Sequence, residues 1–355
     1  MKKIISLHGS YFYNNYGDTL LVNLFASWIK EALPDSEINL PIANRRKIWE
    51  MPGEKSGIIN LCKSHALVFC GGGYFGEQPR HKYRWAVRNF LRHGVVGLLA
   101  ILFRIPIAII GVEFGPISAS WFRKVVIFIA KHADVIVVRN QESLDFLSRH
   151  GVSGVELSYD AVLSLSDIIL PKELSYDNPT IALHLPNIQF YPQQYLNLVR
   201  LIIRQAKIKF ASFKIILIND GSYNVYNRKP YEDVLRLLET EKVHFEMPAY
   251  TGCYSFANLI NDCNYLITTQ LHVGITGAAL NKRVLSCYTH PKTIRLHKQI
   301  GNEYFCEPIS GISSKTELKI KEFFNSKPYV LPTMVKENAL KNKYILRDFI
   351  EKINR

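Results

Sequence analysis

The sequence predicts an α/β fold of two Rossmann-like domains that face a central cleft, with a C-terminal helix packing back across their interface. Short apolar segments alternate with amphipathic stretches along the chain, which is typical of β-α-β units in buried parallel sheets. The 355 residues suit two domains, because one domain usually takes about 100–200 residues. The alternation pauses once, at the polar segment Pro171–Pro179, and such a segment is typical of a domain boundary.

Each predicted strand is an apolar run, and each predicted helix has apolar residues on one face. The predicted strands are Lys3–His8, Leu67–Cys70, Ile105–Gly111, Val135–Val138, Val155–Ser158, Thr180–His184, Lys214–Asn219, His244–Met247, Tyr265–Thr268 and Val284–Cys287. The predicted helices are Asp18–Leu33, Ser120–Lys131, Gln141–His150, Gln193–Lys209, Tyr231–Glu239, Ser255–Asn261 and Val335–Asn354. We therefore expect an N-terminal domain in residues 1–172, a C-terminal domain in residues 178–330 and a C-terminal helix in residues 331–355. This arrangement is that of a GT-B-like protein, in which ligands bind at the carboxyl ends of the strands.

The chain is strongly basic. Lys and Arg total 44 against 30 Asp and Glu, which gives a formal net charge of +14. An excess of this size calls for an anionic partner, such as nucleic acid, an anionic membrane or a phosphorylated substrate. The sequence carries none of the standard DNA- or RNA-reading modules, so no nucleic-acid partner is expected.

The cysteine pattern and the N-terminus point to a cytoplasmic protein without a metal. The six cysteines include no CxxC or CxxH pair, which argues against zinc and predicts reduced structural thiols. The first residues, MKKIISLHG, contain too short an apolar run for a signal peptide. We therefore expect a cytoplasmic location and no resident metal or cofactor.

Much of the positive charge lies in one predicted helix, Arg84–Phe103. Residues 78–112 contain no acidic residue, and three arginines recur there every four residues: Arg84, Arg88 and Arg92. They would form one stripe on the helix. Two interpretations stay open: a solvated basic face, or a peripheral contact with anionic headgroups at the inner face of the cell membrane.

The apolar segment Gly94–Val112 is long enough to raise the question of a membrane span. Arg104 near its middle would be costly to insert, and Pro106 breaks a helix. The sequence therefore favours a helix that ends near Phe103 and is followed by a buried strand.

Polar and glycine-rich segments follow the first two strands that the sequence predicts. In Asn14–Asp18, Gly17 permits a tight turn, and the N–H groups of the helix start can hold an anion or a sugar hydroxyl. Asp18 either caps this helix or directs its carboxylate into the cleft. The glycines Gly71–Gly73 either allow a ligand to approach the backbone closely or form a plain turn.

Charged residues follow two later strands of the first domain. Arg139 comes directly after Val135–Val138 and can form a bidentate contact with a carboxylate or phosphate in the cleft. Alternatively, Arg139 pairs with Glu142 or Asp160. Asp160 follows another short strand and is expected near the same edge of the sheet.

In the second domain, His272 follows the strand Tyr265–Thr268 and precedes a helix of small residues, GITGAAL. Such a helix can pack closely on the sheet, and the imidazole at its N-terminus is either catalytic or structural. Basic residues follow the next strand. They are His290, Lys292, Arg295 and Lys298, and this concentration of charge favours an anionic donor substrate.

In chain order, these segments resemble the polysaccharide pyruvyl transferase family. The family pattern is N-x-G-D near the start, a Gly-rich strand end, G-x-x-x-GP, R-D/E-x-x-S, a G-D or Y-D step, R-L-H at a helix start and Y-x-x-K after the next strand. The matching segments are Asn15–Asp18, Gly71–Gly73, Gly111–Pro116, Arg139–Ser143, Tyr159–Asp160, Leu271–His272 and Tyr288–Lys292. They cover roughly residues 1–300 in the order of the family.

The resemblance implies transfer of pyruvate from phosphoenolpyruvate onto a sugar as a cyclic ketal. The acceptor would be a surface-polysaccharide repeat unit, often a lipid-linked oligosaccharide on a polyprenyl carrier. The resemblance assigns His272 as the general acid, and Asp18 or Asp160 would be the general base. Acceptor-binding residues are expected at Asn15, Gly17, Gly72, Gly73, Tyr74 and Glu113. Donor-binding residues are expected at Arg139, Lys292, Arg295, His290, Tyr288 and Gln270.

One position departs from the family pattern. The family arginine two residues before the histidine is Gln270, which cannot form a charge-assisted fork to phosphate or carboxylate. Either Arg295, Lys292 or His290 supplies that charge, or the donor site differs.

Two other functions stay open. One is a GT-B glycosyltransferase with a nucleotide-sugar donor, which would need a carboxylate for the ribose, at Glu303 or Glu307. The other is an inactive family member that acts as a membrane-associated scaffold.

Overall fold

The computed structural model describes residues 2–11, 15–43, 50–77, 81–186, 188–221, 229–289 and 292–355. The chain forms two compact units, one made of Met1–Val162 with Glu337–Arg355 and the other of Leu163–Lys336. The proline-flanked segment expected between the domains thus belongs to the second unit. It is attached there because Lys172 N donates a hydrogen bond to Asn261 Oδ1 (3.0 Å) and Asn264 Nδ2 donates one to Ser175 O (2.9 Å).

The described residues of the first unit contain the strands β1 (Ile4–His8), β2 (Glu37–Leu40), β3 (Lys55–Ser56), β4 (Ala66–Phe75), β5 (Ile107–Phe114), β6 (Val135–Val138) and β7 (Val155–Leu157). They form one sheet in the order β3-β2-β1-β4-β5-β6-β7. All neighbouring strands are parallel. This is the Rossmann order, which reverses between β1 and β4.

The helices of the first unit are α1 (Tyr16–Ala32), α2 (Ile58–Leu61), α3 (Lys82–Asn89), α4 (Val95–Leu102), α5 (Ser120–Lys131) and α6 (Gln141–Arg149). Phe122, Val126 and Ile129 of α5 are buried in one apolar cluster with strand residues such as Ile109 and Phe114. The strands are apolar on both faces, and this predicts the observed burial under helices.

A π-helical turn, Phe90–Gly94, joins α3 to α4. The helical segment thus ends at Leu102 and is followed by β5, which confirms the helix-then-strand prediction. Within the described residues, none of the helices is both long enough and apolar enough to cross a bilayer.

Two strands run three or more residues further than predicted. β4 continues through the glycines to Phe75, and β5 continues to Phe114. The plain-turn interpretation of Gly71–Gly73 is therefore wrong. Gly71 and Gly72 have φ values of +44° and +91°, and the pairing of β4 with β5 is irregular after Gly72. A bulge of this kind lets a strand continue through residues that look like a turn in the sequence.

The described residues of the second unit contain the strands β8 (Thr180–His184), β9 (Lys214–Leu217), β10 (His244–Glu246), β11 (Tyr265–Thr268), β12 (Arg283–Tyr288) and β13 (Cys306–Pro308). They form a parallel sheet in the order β10-β9-β8-β11-β12-β13. Its order reverses between β8 and β11. The helices are α7 (Pro192–Lys209), α8 (Lys229–Thr240), α9 (Cys253–Asn261), α10 (Leu271–Ala279), α11 (Lys292–Gln299) and α12 (Ser314–Asn325).

The C-terminal helix α13 (Thr333–Asn354) begins in the second unit, and from Glu337 onward it belongs to the first. Asn342 is fully buried, and its Nδ2 donates hydrogen bonds to Ser158 Oγ and Tyr159 O, both at 2.9 Å. Lys343 also pairs with Glu31 of α1 at 3.0 Å. The C-terminal helix therefore packs against the first Rossmann-like half, as predicted, and the buried hydrogen bonds of Asn342 hold it there.

Candidate active site

In each sheet the strand order reverses once, and ligands of Rossmann-type sheets bind outside the carboxyl ends of the strands at such a reversal. In the first unit the reversal lies between β1 and β4, and in the second between β8 and β11. The sequence-predicted site residues fall into two clusters, one near each reversal.

Asn15 caps α1. Its Oδ1 accepts a hydrogen bond from Gly17 N at 3.0 Å, so the alternative in which Asp18 is the cap is wrong. Asp18 lies in the first turn and is half-buried, and its carboxylate accepts a hydrogen bond from Ser10. A Cβ placed on Gly72 would lie 3.9 Å from Asp18 Oδ1. The start of α1 and the glycine segment Gly71–Gly73 of β4 are therefore neighbours, as expected if both line one site.

The pKa of Asp18 is raised from 3.8 to about 7. The main cause is burial, which disfavours the charged carboxylate. The positive charge of Arg139 and the hydrogen bond from Ser10 oppose this shift, and the charge of Asp160 adds to it. A carboxyl group with this pKa can take up and release a proton near neutral pH, as a general base must.

Arg139 forms a buried fork with two carboxylates. Its Nη1 donates to Asp160 Oδ2 and its Nη2 to Glu113 Oε2, both at 2.8 Å. All three side chains are buried. Burial alone would lower the pKa of Arg139, but the two carboxylates raise it above its ordinary value. The pairing with Asp160 that the sequence left open is thus observed, with Glu113 as a second partner.

The sheet register explains why these three residues meet. Val112 of β5 lies opposite Val138 of β6, so the next residues, Glu113 and Arg139, are neighbours. Ser158 N donates to Val138 O at 2.8 Å, which brings the segment after β7 to the same edge. Asp160 Oδ1 also accepts a hydrogen bond from Val162 N at 3.1 Å, so both its oxygens are engaged.

A buried cluster of His8, Tyr11, Tyr74 and His93 lies beside this edge, and only Tyr74 was predicted. His8 Nδ1 lies 2.9 Å from the Tyr11 hydroxyl, and His8 Nε2 lies 2.9 Å from His93 Nδ1. Tyr74 stacks on His93 with ring centroids 4.3 Å apart. Burial lowers the pKa of His8 to about 3 and lowers that of His93 well below its ordinary value, so both rings are neutral.

The Tyr74 hydroxyl is buried and has no hydrogen-bond partner among the described residues. A buried polar group without a partner is costly, so this hydroxyl is a candidate hydrogen-bonding position for a water molecule or a ligand hydroxyl. His8 is the last residue of the predicted first strand, and a histidine at the carboxyl end of a strand could have indicated that His8 belongs to the site. His93 lies in a distant helix, and nothing in the sequence connects it to His8.

In the second unit, His272 is the second residue of α10 and is half-buried. Gln270 N donates to Thr268 Oγ1 at 3.1 Å, and Thr268 Oγ1 lies 3.0 Å from His184 Nδ1. A Cβ on Gly277 would lie 2.6 Å from the Leu266 side chain. The close helix–sheet packing predicted from the small residues is therefore confirmed, and it holds the start of α10 against β11.

The other predicted donor residues follow the neighbouring strand. Tyr288 ends β12, and Lys292 and Arg295 lie in the first turn of α11; all three are half-buried. β12 pairs with β11, so this segment and His272 emerge from adjacent strands. His290 lies outside the described residues. Gln270 Oε1 is buried without a hydrogen-bond partner in the part of the chain that the structure describes.

Two Rossmann-like units with residues gathered at the strand-order reversals define a GT-B-like protein. Similar solved structures are UDP-N-acetylglucosamine 2-epimerases. The one from Methanocaldococcus jannaschii has a TM-score of 0.65 and 12% identity, covering 99% of this chain and 100% of that one. The one from Rickettsia bellii has a TM-score of 0.60 and 14% identity, covering 100% and 98%. The one from Neisseria meningitidis, bound to UDP-GlcNAc, has a TM-score of 0.57 and 14% identity, covering 98% and 100%. At these identities the likeness shows the fold alone.

The particular family follows from the sequence. The profile of the polysaccharide pyruvyl transferase family matches residues 15–291, and the chain therefore belongs to this family of transferases. The matched range contains both Asp18 and His272. No curated protein matches the chain significantly.

We expect Arg139→Met to destabilise the first unit. The substitution keeps much of the side-chain volume but leaves Glu113 and Asp160 buried without their cation, which typically costs about 3–5 kcal/mol. Urea unfolding at pH 7 measures the change in the free energy of unfolding. The control Arg149→Met, at an exposed position on α6, should stay within about 0.5 kcal/mol of the wild type. Equal stability of both variants would show that the fork does not hold these strand ends together.

Proposed function

We propose that the protein transfers pyruvate from phosphoenolpyruvate onto two hydroxyls of a sugar, forming a cyclic ketal and inorganic phosphate. The proposed acceptor is a surface-polysaccharide repeat unit on a polyprenyl carrier, presented at the cytoplasmic face of the membrane. The family match over residues 15–291 carries this proposal. Support comes from the two proton-transfer candidates within that range, Asp18 and His272.

We assign to His272 the role of general acid toward the methylene carbon of phosphoenolpyruvate. Protonation leaves positive charge on the adjacent carbon, which one sugar hydroxyl attacks. The bond from this carbon to the phosphate oxygen then breaks, and the second hydroxyl attacks the same carbon. One of the two hydroxyl protons replaces the proton that His272 gave, and the other leaves with phosphate. Imidazole suits this step, because its ordinary pKa lies close to neutral.

We assign the role of general base to Asp18, because its raised pKa matches the task and its side chain is only half-buried. Both oxygens of Asp160 are already hydrogen-bonded, so we propose that Asp160 and Glu113 position Arg139 rather than touch substrate. With both terminal nitrogens of Arg139 engaged, the donor's negative charges are assigned to Lys292 and Arg295. Asn15, Gly17, Gly72, Gly73 and Tyr74 are proposed to line the acceptor side.

A nucleotide-sugar glycosyltransferase is the second candidate, which the likeness to UDP-GlcNAc 2-epimerases favours. A ribose-binding carboxylate was expected at Glu303 or Glu307. Glu307 is paired with Lys319 at 3.2 Å, and Glu303 is exposed on a short 3₁₀ turn. The pyruvyl donor stays the first candidate because the family match supports it. We propose that no metal takes part; among the described residues, no group of three or more His, Cys, Asp or Glu side chains could hold one.

Ligand-dependent thermal stability distinguishes the two donors. Phosphoenolpyruvate at about 100 times its Kd should stabilise the folded protein by about 2.7 kcal/mol and raise its Tm, whereas UDP-GlcNAc should leave the Tm unchanged. Phosphate release with a sugar diol acceptor measures the reaction itself. A rise in Tm with UDP-GlcNAc alone would overturn the proposed donor, and a chain that binds neither compound would fit the inactive scaffold.

We expect His272→Gln to lower kcat by about 10²–10⁴-fold, the usual contribution of a positioned proton donor. The free energy of unfolding should change little, because glutamine keeps a polar side chain of similar size at this half-buried position. His244→Gln is the matched control, since His244 is exposed on β10 of the same unit. If the folded His272→Gln protein kept full ketal-forming activity, His272 would have no part in the mechanism.

Asp18→Asn should lose activity and gain stability at high pH. The folded-state pKa of about 7 exceeds 3.8, so the folded state binds the extra proton, and this stabilisation is lost as the pH rises toward 7. At pH 8 we expect a gain on the order of 1–3 kcal/mol in the free energy of unfolding and a loss of about 10²–10⁴-fold in kcat. In the wild type, kcat should rise with pH up to about 7. The exposed Asp145→Asn variant is the control; wild-type activity in Asp18→Asn would exclude Asp18 as the base.

A further inference from the structure

Helices α3, α4 and α5 leave several large apolar side chains in solvent. The most exposed are Leu102 (72%), Tyr83 (70%), Leu91 (61%) and Phe103 (50%), together with Phe128 and Trp121 of α5. We call these six residues, with the cations that flank them on the same helices, the α3–α5 surface. Monomeric soluble proteins rarely leave such side chains exposed together unless they bind a partner or a membrane.

The residues of this surface lie on adjacent helices. Gly97 of α4 packs so closely on α5 that a Cβ there would come within 2.7 Å of the Ile129 side chain. The rings of Phe90 and Trp121 are 5.5 Å apart, which joins the π-helical turn to the start of α5. The exposed apolar residues therefore belong to one face of the first unit rather than to separate sites.

Positive charge surrounds these apolar residues. The exposed cations of the three helices and their ends are Lys82, Arg84, Arg104, Lys124 and Lys131. The only acidic residue in residues 81–133 is Glu113, and it is buried in the ion pair with Arg139. Two carboxylates border the surface: Glu77 is paired with Lys82 at 2.9 Å, and the exposed Asp134 follows the end of α5. The surface therefore offers apolar side chains and an excess of cations, with no exposed carboxylate within residues 81–133.

The combination of exposed apolar side chains and cations distinguishes between two possible partners, a second copy of the chain and an anionic bilayer. A second copy of the chain would bring the same cations face to face across a twofold axis, and like charges repel. An anionic bilayer satisfies both features, because apolar side chains enter the acyl region while Lys and Arg contact the headgroups. The predicted stripe of Arg84, Arg88 and Arg92 is only partly correct, because Arg84 is exposed whereas Arg88 and Arg92 are half-buried beside and within the π-helical turn. Most of the other exposed cations lie after α4 and on α5.

We propose that the α3–α5 surface docks the protein on an anionic lipid bilayer as a peripheral membrane protein. The apolar side chains enter the interface, and the surrounding cations bind the headgroups. The docking does not depend on the proposed reaction, but it would hold the first unit at the membrane that carries a polyprenyl-linked acceptor.

Vesicle co-sedimentation of the full chain tests this proposal. Wild-type protein should bind phosphatidylcholine vesicles that contain about one third phosphatidylglycerol, and should bind pure phosphatidylcholine far more weakly. Arg84→Gln/Arg104→Gln/Lys124→Gln should weaken partitioning onto the anionic vesicles by about 100-fold, since each cation contributes about fivefold. Leu102→Ser/Phe103→Ser should weaken it by about tenfold or more.

Matched controls come from the second unit. Arg200→Gln/Lys315→Gln/Lys321→Gln removes the same charge from exposed positions, and Ile208→Ser removes an apolar side chain that is 69% exposed. Both controls should bind like the wild type. Equal losses in the controls, or a wild type that does not bind anionic vesicles, would overturn the proposal. A dimer in light scattering that Leu102→Ser/Phe103→Ser dissociates would assign the surface to a second copy instead. Phosphate release with a water-soluble acceptor should be unchanged in every variant, so a failed reaction and failed docking are distinguishable.

Discussion

The fork in which Arg139 joins Glu113 and Asp160 is the interaction on which the first-unit site depends. It connects the ends of β5 and β6 with the segment after β7. The contact lies just beyond the last backbone pair between β5 and β6. The same guanidinium opposes the burial that raises the pKa of Asp18. One buried cation therefore both holds the strand ends together and limits how far the nearby carboxyl group shifts toward the neutral form.

A backbone constraint accompanies this fork. Gly71 has a positive φ, and a Cβ there would come within 2.8 Å of Leu21 of α1. Only glycine allows α1 to lie this close to β4, and this approach brings Asp18 beside Gly72. In the second unit, Gly277 allows α10 to pack equally closely on β11. Both proton-transfer candidates thus begin helices that small residues hold tightly against a strand.

Secondary structure was predictable where buried segments are also apolar in sequence. The bounds of β6, β8, β11 and α5 agree with the prediction, because fully buried strands and amphipathic helices leave clear apolar patterns. β2, β3 and β13 were missed. β3 and β13 are strands of two and three residues at sheet edges, where little apolar surface is buried, and in β2 the polar residues Glu37 and Asn39 interrupt the apolar pattern. The continuation of β4 was missed because glycine at positive φ looks like a turn in the sequence.

The sequence by itself determined the two-sheet α/β class, the family and the segments that reach the carboxyl edges of the sheets, because apolar periodicity and motif order are local properties of the chain. Only the tertiary structure decided which side chains meet. The pairing of Arg139 with Glu113, the contact of His8 with His93 and the joining of α3 to α5 in one exposed surface link residues far apart in the chain. Such contacts depend on strand register and helix packing, and the pKa of Asp18 depends in turn on the burial and charges that those contacts create.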